Sequence, residues 1–442
     1  MFGLRFTRPP MMAGAGTDTA RPSRFYPWLV FALSFGLLLS DYMSRQVLNA
    51  LFPLLKAEWA LSDARLGALG GVVALMVGVL TVPLSILADR WGRVRSLTLM
   101  AALWSLATLG CAVANSYGEM FIARLCVGIG EAAYGSVGIA LVLSVFPRHL
   151  RASLSAAFIA GGAFGSVLGM ALGGVISAHF GWRHAFAGMA IFGLVLVAIY
   201  RLLVTERGLL AQRRALGEPV PAHAQRRAMP LRALTAALFS SRSILCAYVG
   251  SALQLLVMGS LLAWMPSYLG RYYHMTTEHA GLSAACFVLA GGAGMILCGA
   301  LTDRVARRAP ARKWLMAVAY SVICFVLLGL AFRLPPGAVQ LALVAGGMLL
   351  AGGSAGPASA AVANLTDPSI HASAFATLTL ANNLLGLAPG PFATGVLADH
   401  IGLAAALQWL PLTGLLAAFC FVVGRRTYTA DLQRLERQRQ TA

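Results

Sequence analysis

Apolar residues run through this chain in long blocks separated by short polar breaks, with neither the alternation of a half-buried strand nor the narrow stripe of a soluble amphipathic helix. Most blocks are roughly 20 to 28 residues long, enough at about 1.5 Å per residue to cross a hydrocarbon layer of about 30 Å. Reading between the breaks predicts twelve helical spans: 25–50, 64–87, 94–114, 119–146, 152–178, 185–204, 243–269, 278–301, 313–333, 338–363, 372–397 and 404–424. Strand-length alternation is missing from the sequence, which excludes a membrane β-barrel.

The longest polar interruption, 205–241, carries Arg207, Arg213, Arg214, Arg226, Arg227 and Arg232 and leaves six spans on each side. The expected organisation is a tail (1–24), a six-helix bundle (25–204), a basic linker (205–241), a second bundle (242–425) and a tail (426–442). The halves also echo each other. Leu87-Ala-Asp89-Arg90-Trp-Gly92-Arg93 follows the second span, and Gly299-Ala-Leu301-Thr-Asp303-Arg304-Val-Ala-Arg307-Arg308 follows the eighth. An acidic-then-basic cluster at equivalent places in a chain only 11% charged points to internal duplication, so the fold class is all-α, two pseudo-symmetric six-helix bundles in a membrane.

Composition agrees, since 59% hydrophobic residues is more apolar surface than a soluble fold of this size hides. A net charge of +19 would suggest nucleic acid in a soluble protein. Here most of the 34 Lys and Arg fall in the tails and alternate loops, which places both termini in the cytoplasm, expected to be that of a bacterial inner membrane. The basic surplus then faces membrane lipids, and no nucleic-acid partner is expected. The first 24 residues lack an apolar core before a cleavage site, so the first span is read as an uncleaved insertion signal. All seven Cys lie in apolar segments without metal or redox spacing, and His274, His279 and His371 form no ligand pattern. No metal or cofactor is expected, and no Gly-x-x-x-x-Gly-Lys loop suggests ATP drive.

Four charges stand inside the spans: Asp41 and Arg45 in the first, Arg124 and Glu131 in the fourth. Each costs a few kcal/mol at bilayer depth, so their presence needs a reason. Each pair shares one helix face, with both acids near mid-depth. Burial favours the neutral form of a carboxyl group and a neighbouring guanidinium favours the charged form, so Glu131 and Asp41 are candidate proton sites. Arg45 and Arg124 suit an anionic substrate group, or hold an acid deprotonated. The competing reading is a static cluster that packs the two spans together.

For Asp89, Arg90, Arg93, Asp303 and Arg304 the functional reading is a conformational latch, against plain topology and loop capping. In the second half, Tyr248, Gln254, Trp264, Tyr268, Asn364, Asn382 and Asn383 either line a cavity for an amphipathic ligand or bond helix to helix. Gly161, Gly165, Gly169 and Gly173 form a smooth stripe, for sliding between halves or for static packing, and Pro389 and Pro391 predict a bent eleventh span.

The segment Ser85-Ile-Leu-Ala-Asp89-Arg90-Trp-Gly92-Arg93-Val-Arg95, together with Arg124-Leu-Cys-Val-Gly128-Ile-Gly130-Glu131-Ala132, resembles the signatures of the major facilitator superfamily, over about Phe25 to Arg426. Ser85 replaces the first glycine of the loop pattern, which the copy at Gly299 keeps. A narrower resemblance, to the spinster-like branch, runs from Glu131-Ala-Ala-Tyr134 through Phe146-Pro147 and Arg151 to Gly181-Trp182-Arg183. It adds Tyr134 to the expected substrate or charge network. Asp41-Tyr42-Met43-Ser44-Arg45 is similar to that branch's Asn-Tyr-Met-Asp-Arg, but Ser44 stands at its acid and Asp41 lies three residues earlier.

The resemblance implies a secondary active transporter working by alternating access, and the carboxylates imply proton coupling. The expected substrate is amphipathic or anionic: lysolipid- or sphingoid-like by the branch resemblance, or a small organic acid by a first-span pattern shared with organic-anion carriers. A monomer is expected. A non-transporting receptor or scaffold is the alternative from another class. An enzyme is not expected, because no nucleophile–base pair or metal set is found.

Overall fold

Hydrocarbon offers backbone N–H and C=O groups no water, so a chain this apolar satisfies them within helices. The computed structural model describes residues 25–216, 231–239, 241–307, 309, 311–367 and 370–441, and no strand occurs among them. The first half contributes α1 (Tyr26–Trp59), α2 (Asp63–Trp91), α3 (Arg93–Val113), α4 (Tyr117–Ser144), α5 (Arg151–Phe180) and α6 (Trp182–Leu203). The second contributes α7 (Arg242–Tyr272), α8 (Thr277–Ala306), α9 (Arg312–Ala331), α10 (Ala338–Leu365), α11 (371–401) and α12 (Leu403–Leu435). Two short helices, Glu206–Ala215 and Leu231–Leu238, lie between the halves. The expected N-terminal tail and the linker residues Arg226 and Arg227 fall outside the described residues.

Eleven of these helices are long and apolar enough to span a membrane. The remaining crossing, α11, is cut by a π-helical turn at Asn383–Leu387, where the Ala388 N–H donates to Asn383 O at 2.9 Å, immediately before Pro389 and Pro391. This is the bend the prolines predict. Two helices outrun their expected ends furthest: α1 continues past residue 50 to Trp59 and carries Pro53 inside it, and α12 continues past residue 424 to Leu435.

An even number of crossings puts both chain ends on one side, here called the terminal face, and the α1–α2 turn on the far face. Toward the far face, buried apolar side chains of both bundles merge into one cluster, from Val47 and Phe52 through Trp182 to Trp264 and Leu407. Toward the terminal face the core splits. One cluster, around Leu37, Trp104 and Phe146, belongs to the first half, and another, around Ile244, Trp314 and Phe421, to the second. The two bundles are therefore joined at the far face and separate toward the terminal face.

Small residues make the joint close. A Cβ on Gly174 of α5 would lie 3.1 Å from Gly281 Cα of α8, and one on Gly78 of α2 would lie 2.9 Å from Asn383 Cβ of α11. The stripe in α5 does something else. Cβ atoms on Gly165 and Gly169 would meet Leu39 O at 2.7 Å and Met43 O at 2.6 Å, both on α1 of the same half. It is static packing that seats α1 against α5, while Gly174 beside it faces the other half.

The α1–α5 crossing therefore sets a stability prediction. Gly169→Leu forces the helices apart and is expected to cost about 3 kcal/mol or more. Gly329→Ala in α9, where no atom lies within 4 Å of the added Cβ, is expected to lose nothing. Thermal unfolding in detergent compares the two.

Candidate functional site

The helix α4 breaks where its charge sits. Its first segment ends at Glu131, Ala132 and Ala133 form a turn, and helix resumes at Tyr134. Gly130 allows the approach to α3, since a Cβ there would lie 2.6 Å from Trp104 N. The carbonyl freed at Ala132 is satisfied by Thr81 Oγ1 of α2 at 2.7 Å. The break thus presents Glu131 to α1 without leaving that backbone oxygen unpaired.

Arg45 of α1 donates to Glu131 Oε2 twice, from Nε at 3.0 Å and Nη2 at 2.7 Å. The Glu131 side chain is fully buried, whereas that of Arg45 is 20% exposed. Nη1 of Arg45 is left without a hydrogen-bond partner among the described residues. The same guanidinium sits 5.4 Å over the Tyr42 ring, a cation–π contact. Asp41, one helical turn before Arg45, is buried, and its carboxyl group lies within hydrogen-bond reach of the Glu131 carboxyl. Asp41 Oδ1 and Glu131 Oε1 meet no donor group. Two carboxyl groups this close can share a hydrogen bond only when one of them carries a proton.

Arg124 is arranged differently from Arg45. It is 1% exposed, and donates from Nη1 to Ser44 O at 2.9 Å, from Nη2 to Arg45 O at 3.3 Å and from Nε to Leu69 O at 3.4 Å. All three acceptors are backbone carbonyls of α1 and α2. Its guanidinium staples three helices behind the Arg45–Glu131 pair and offers no donor to an open space.

The other expected site residues scatter. Tyr134 donates to Ser34 O at 2.8 Å and packs edge-on against Trp104 inside the first bundle. Gln254 is fully buried, with its amide facing Cys324 of α9 and Gly414 of α12. Tyr268 accepts from Gln340 Nε2 at 2.9 Å and packs on Tyr272 and Phe332. Trp264 lies at the joint between halves, donating to Pro391 O at 3.0 Å and touching the Phe52 ring. Asn383 bonds Thr379 O within α11 and packs toward Gly78, and Asn382 precedes the π turn. None of these residues is brought against the Asp41–Arg45–Glu131 cluster. Tyr248 packs in the second-half core beside Phe239, and Asn364 donates to Tyr428 OH.

In the loop clusters, the side chain of Asp89 lies outside the described residues, Arg90 is exposed, and Arg93 Nη1 reaches Ala140 O at 3.4 Å in its own half. Asp303 is mostly exposed, with Lys313 Nζ at 3.8 Å, and Arg304 is exposed. The sequence pattern does not single out the far-face charges. Asp63, the first residue of α2, binds Lys56 Nζ at 2.5 Å and the two terminal nitrogens of Arg271 at 2.6 and 2.7 Å. Span-end charges look like ordinary loop residues until their partners from the other half are seen.

Two six-helix bundles joined along one face, with charges buried inside the first, form an architecture that membrane carriers use. The family model described as Major Facilitator Superfamily matches residues 34–386, and the chain belongs to that family of transporters rather than to the enzymes. It is 28% identical to a gallate transporter of Pseudomonas putida over 361 residues, covering 75% of this chain and 77% of that protein. It is 27% identical to a probable L-galactonate transporter of Escherichia coli, over 60% of this chain and 58% of that protein. In fold it is similar to a bacterial homologue of the human lysosomal transporter Spinster in an inward-facing, unoccupied conformation: TM-score 0.80, 18% identity, 92% of this chain and 99% of that one.

The contrast between the two arginines sets the prediction for this site. Arg124→Lys keeps the charge but loses the fork that reaches three carbonyls, and is expected to destabilise the protein by about 3 kcal/mol or more. Arg45→Lys, whose parent side chain is partly solvated, is expected to cost less than half of that. Thermal unfolding of the purified variants measures both.

Proposed function

We propose that the protein is a proton-coupled transporter of a small organic anion, working by alternating access, and that Arg45 is the group the substrate and Glu131 compete for. The observation that carries this reading is the division of Arg45: Nε and Nη2 are committed to a buried carboxylate, while Nη1 stays free on a partly exposed side chain. An arriving carboxylate finds one guanidinium nitrogen uncommitted, with the Tyr42 ring 5.4 Å from the guanidinium for an aromatic or apolar part. A proton added to the Asp41–Glu131 pair weakens its hold on Arg45, and the substrate anion takes its place. Proton and anion then occupy the site together, which is the requirement of symport.

With the termini in the cytoplasm of a bacterial inner membrane, the joined far face is external and the separated ends open inward. The protein acts as a monomer, the bundles 25–204 and 242–425 rock about the site, and Asp89, Arg90, Arg93, Asp303 and Arg304 engage when the inner side closes. The relatives named for gallate and galactonate favour an organic acid over a lysolipid, because the likeness to the Spinster homologue is one of fold.

Proteoliposomes with an imposed pH gradient, offered gallate, galactonate and a lysophospholipid in parallel, test this. Accumulation of an organic acid is expected in the wild type. Glu131→Gln is expected to abolish uphill accumulation while sparing downhill exchange, and Arg45→Gln to weaken substrate binding about thirtyfold or more. Gradient-driven accumulation by Glu131→Gln equal to wild type would rule out the proton role, and selective movement of the lysolipid would rule out the anion reading.

A further inference from the structure

The end of α2 and the end of α11 carry the same Leu-Ala-Asp-x-x-Gly pattern on opposite faces of the membrane. Leu87-Ala88-Asp89-Arg90-Trp91-Gly92 is matched by Leu397-Ala398-Asp399-His400-Ile401-Gly402. In both, the closing glycine has the same left-handed backbone, φ 96° and ψ 139° at Gly92 and φ 83° and ψ 154° at Gly402. A residue with a side chain rarely adopts that conformation, so the helix stops at the same point and leaves the Asp in the same place on its last turn.

At the far face the function of that Asp is visible. Asp399 reaches across to the other half and caps α2, accepting from the Asp63 N–H at 2.7 Å and the Ala64 N–H at 2.9 Å. These are first-turn donors with no partner inside their own helix, and a carboxylate there also complements the helix dipole. Two features let it reach. Gly395 lies one turn earlier, where a Cβ would fall 2.7 Å from the Asp63 carbonyl carbon, and the Asp63 side chain is drawn away to Arg271 and Lys56. The start of α2 is thus held by the second half at two points, Asp399 on its backbone and Arg271 on its side chain. The two acids and two bases balance in charge, so they cluster without net repulsion.

We infer that Asp399 is the external latch of the transport cycle: a positioning residue whose carboxylate, seated on the N-terminus of α2, sets how strongly the far face stays closed. The inference rests on the alternating-access reading above and goes beyond it by assigning a second latch, on the opposite face from the loop clusters. Opening the far face separates the start of α2 from the end of α11. Asp399 then returns to water and the α2 donors are rehydrated, so the contact stabilises only the closed state. Gly402 and Gly395 serve the latch by ending the helix and by letting the chains approach.

Spin labels at residues 180 and 339, exposed positions of α5 and α10 at the far face, report the separation of the halves in a full-length background without native cysteines. Asp399→Ala is expected to raise the ratio of open to closed far face about tenfold, the change that loss of a cap and its dipole contact would give. Asp399→Asn, which keeps an acceptor oxygen and folds with the least disturbance, is expected to give an intermediate shift. An Asp63→Asn/Arg271→Gln double variant serves as the reference for opening by loss of the neighbouring ion pair. If the reference opens and both Asp399 variants match wild type, the latch assignment is overturned and alternating access stands. If no variant lengthens the distance, with or without gallate and a pH gradient, the alternating-access reading itself fails.

Discussion

A carboxylate buried in hydrocarbon must find a cation, and the Arg45–Glu131 pair is the point around which the first bundle is built. Glu131 is fully buried, so the break in α4, the hydroxyl of Thr81 on the freed carbonyl and the glycine at 130 all serve to bring it to α1. Arg124 fixes α1 and α2 behind the pair through their backbone carbonyls. The glycine stripe of α5 seats α1 from the other side.

The second bundle supplies shape and leverage. Its core is continuous with that of the first only toward the far face, where Trp264, Phe52 and the glycines of α2, α5, α8 and α11 meet. Toward the terminal face each bundle keeps its own core. A joint that is tight at one end and separate at the other suits the rocking that the proposed function asks for, because packed interfaces exchange between discrete arrangements more readily than they stretch. The π turn in α11 ahead of Pro389 gives one of the joint helices a bend within the membrane, a feature often found at moving or functional sites.

The fold was legible because its signals are long and redundant: span-length apolar blocks, a basic bias on alternate loops and duplicated loop clusters. The central acids and Arg45 were legible for a different reason, since ionised groups inside apolar runs are rare enough to stand out singly. Arg124 shows where that logic ends. Burial and charge place it at the centre, but only coordinates reveal that its donors face carbonyls, because a helical pattern fixes a face and leaves the reach of a long side chain open. Tyr268 and Tyr134 bond to other helices instead of joining the cluster, since polar groups in a membrane helix pair that way as readily as they face a cavity, whereas Gln254 is buried in the second half with both amide atoms unpartnered among the described residues. Asp63, Arg271 and Asp399 sit at helix ends, where charge is common, and gain meaning only from tertiary partners far away in sequence.

The central claim is that anion binding and protonation are linked through one guanidinium. If the substrate displaces Glu131 from Arg45, the freed carboxyl pair takes up a proton as the anion binds. Calorimetric titration of the detergent-solubilised protein with gallate or galactonate, in buffers of different ionisation enthalpy, counts that proton directly. The account predicts uptake of about one proton per anion bound near neutral pH, falling to none in an Asp41→Asn/Glu131→Gln double variant that still binds. Binding with no proton uptake in the wild type, or uptake unchanged in the double variant, would contradict it.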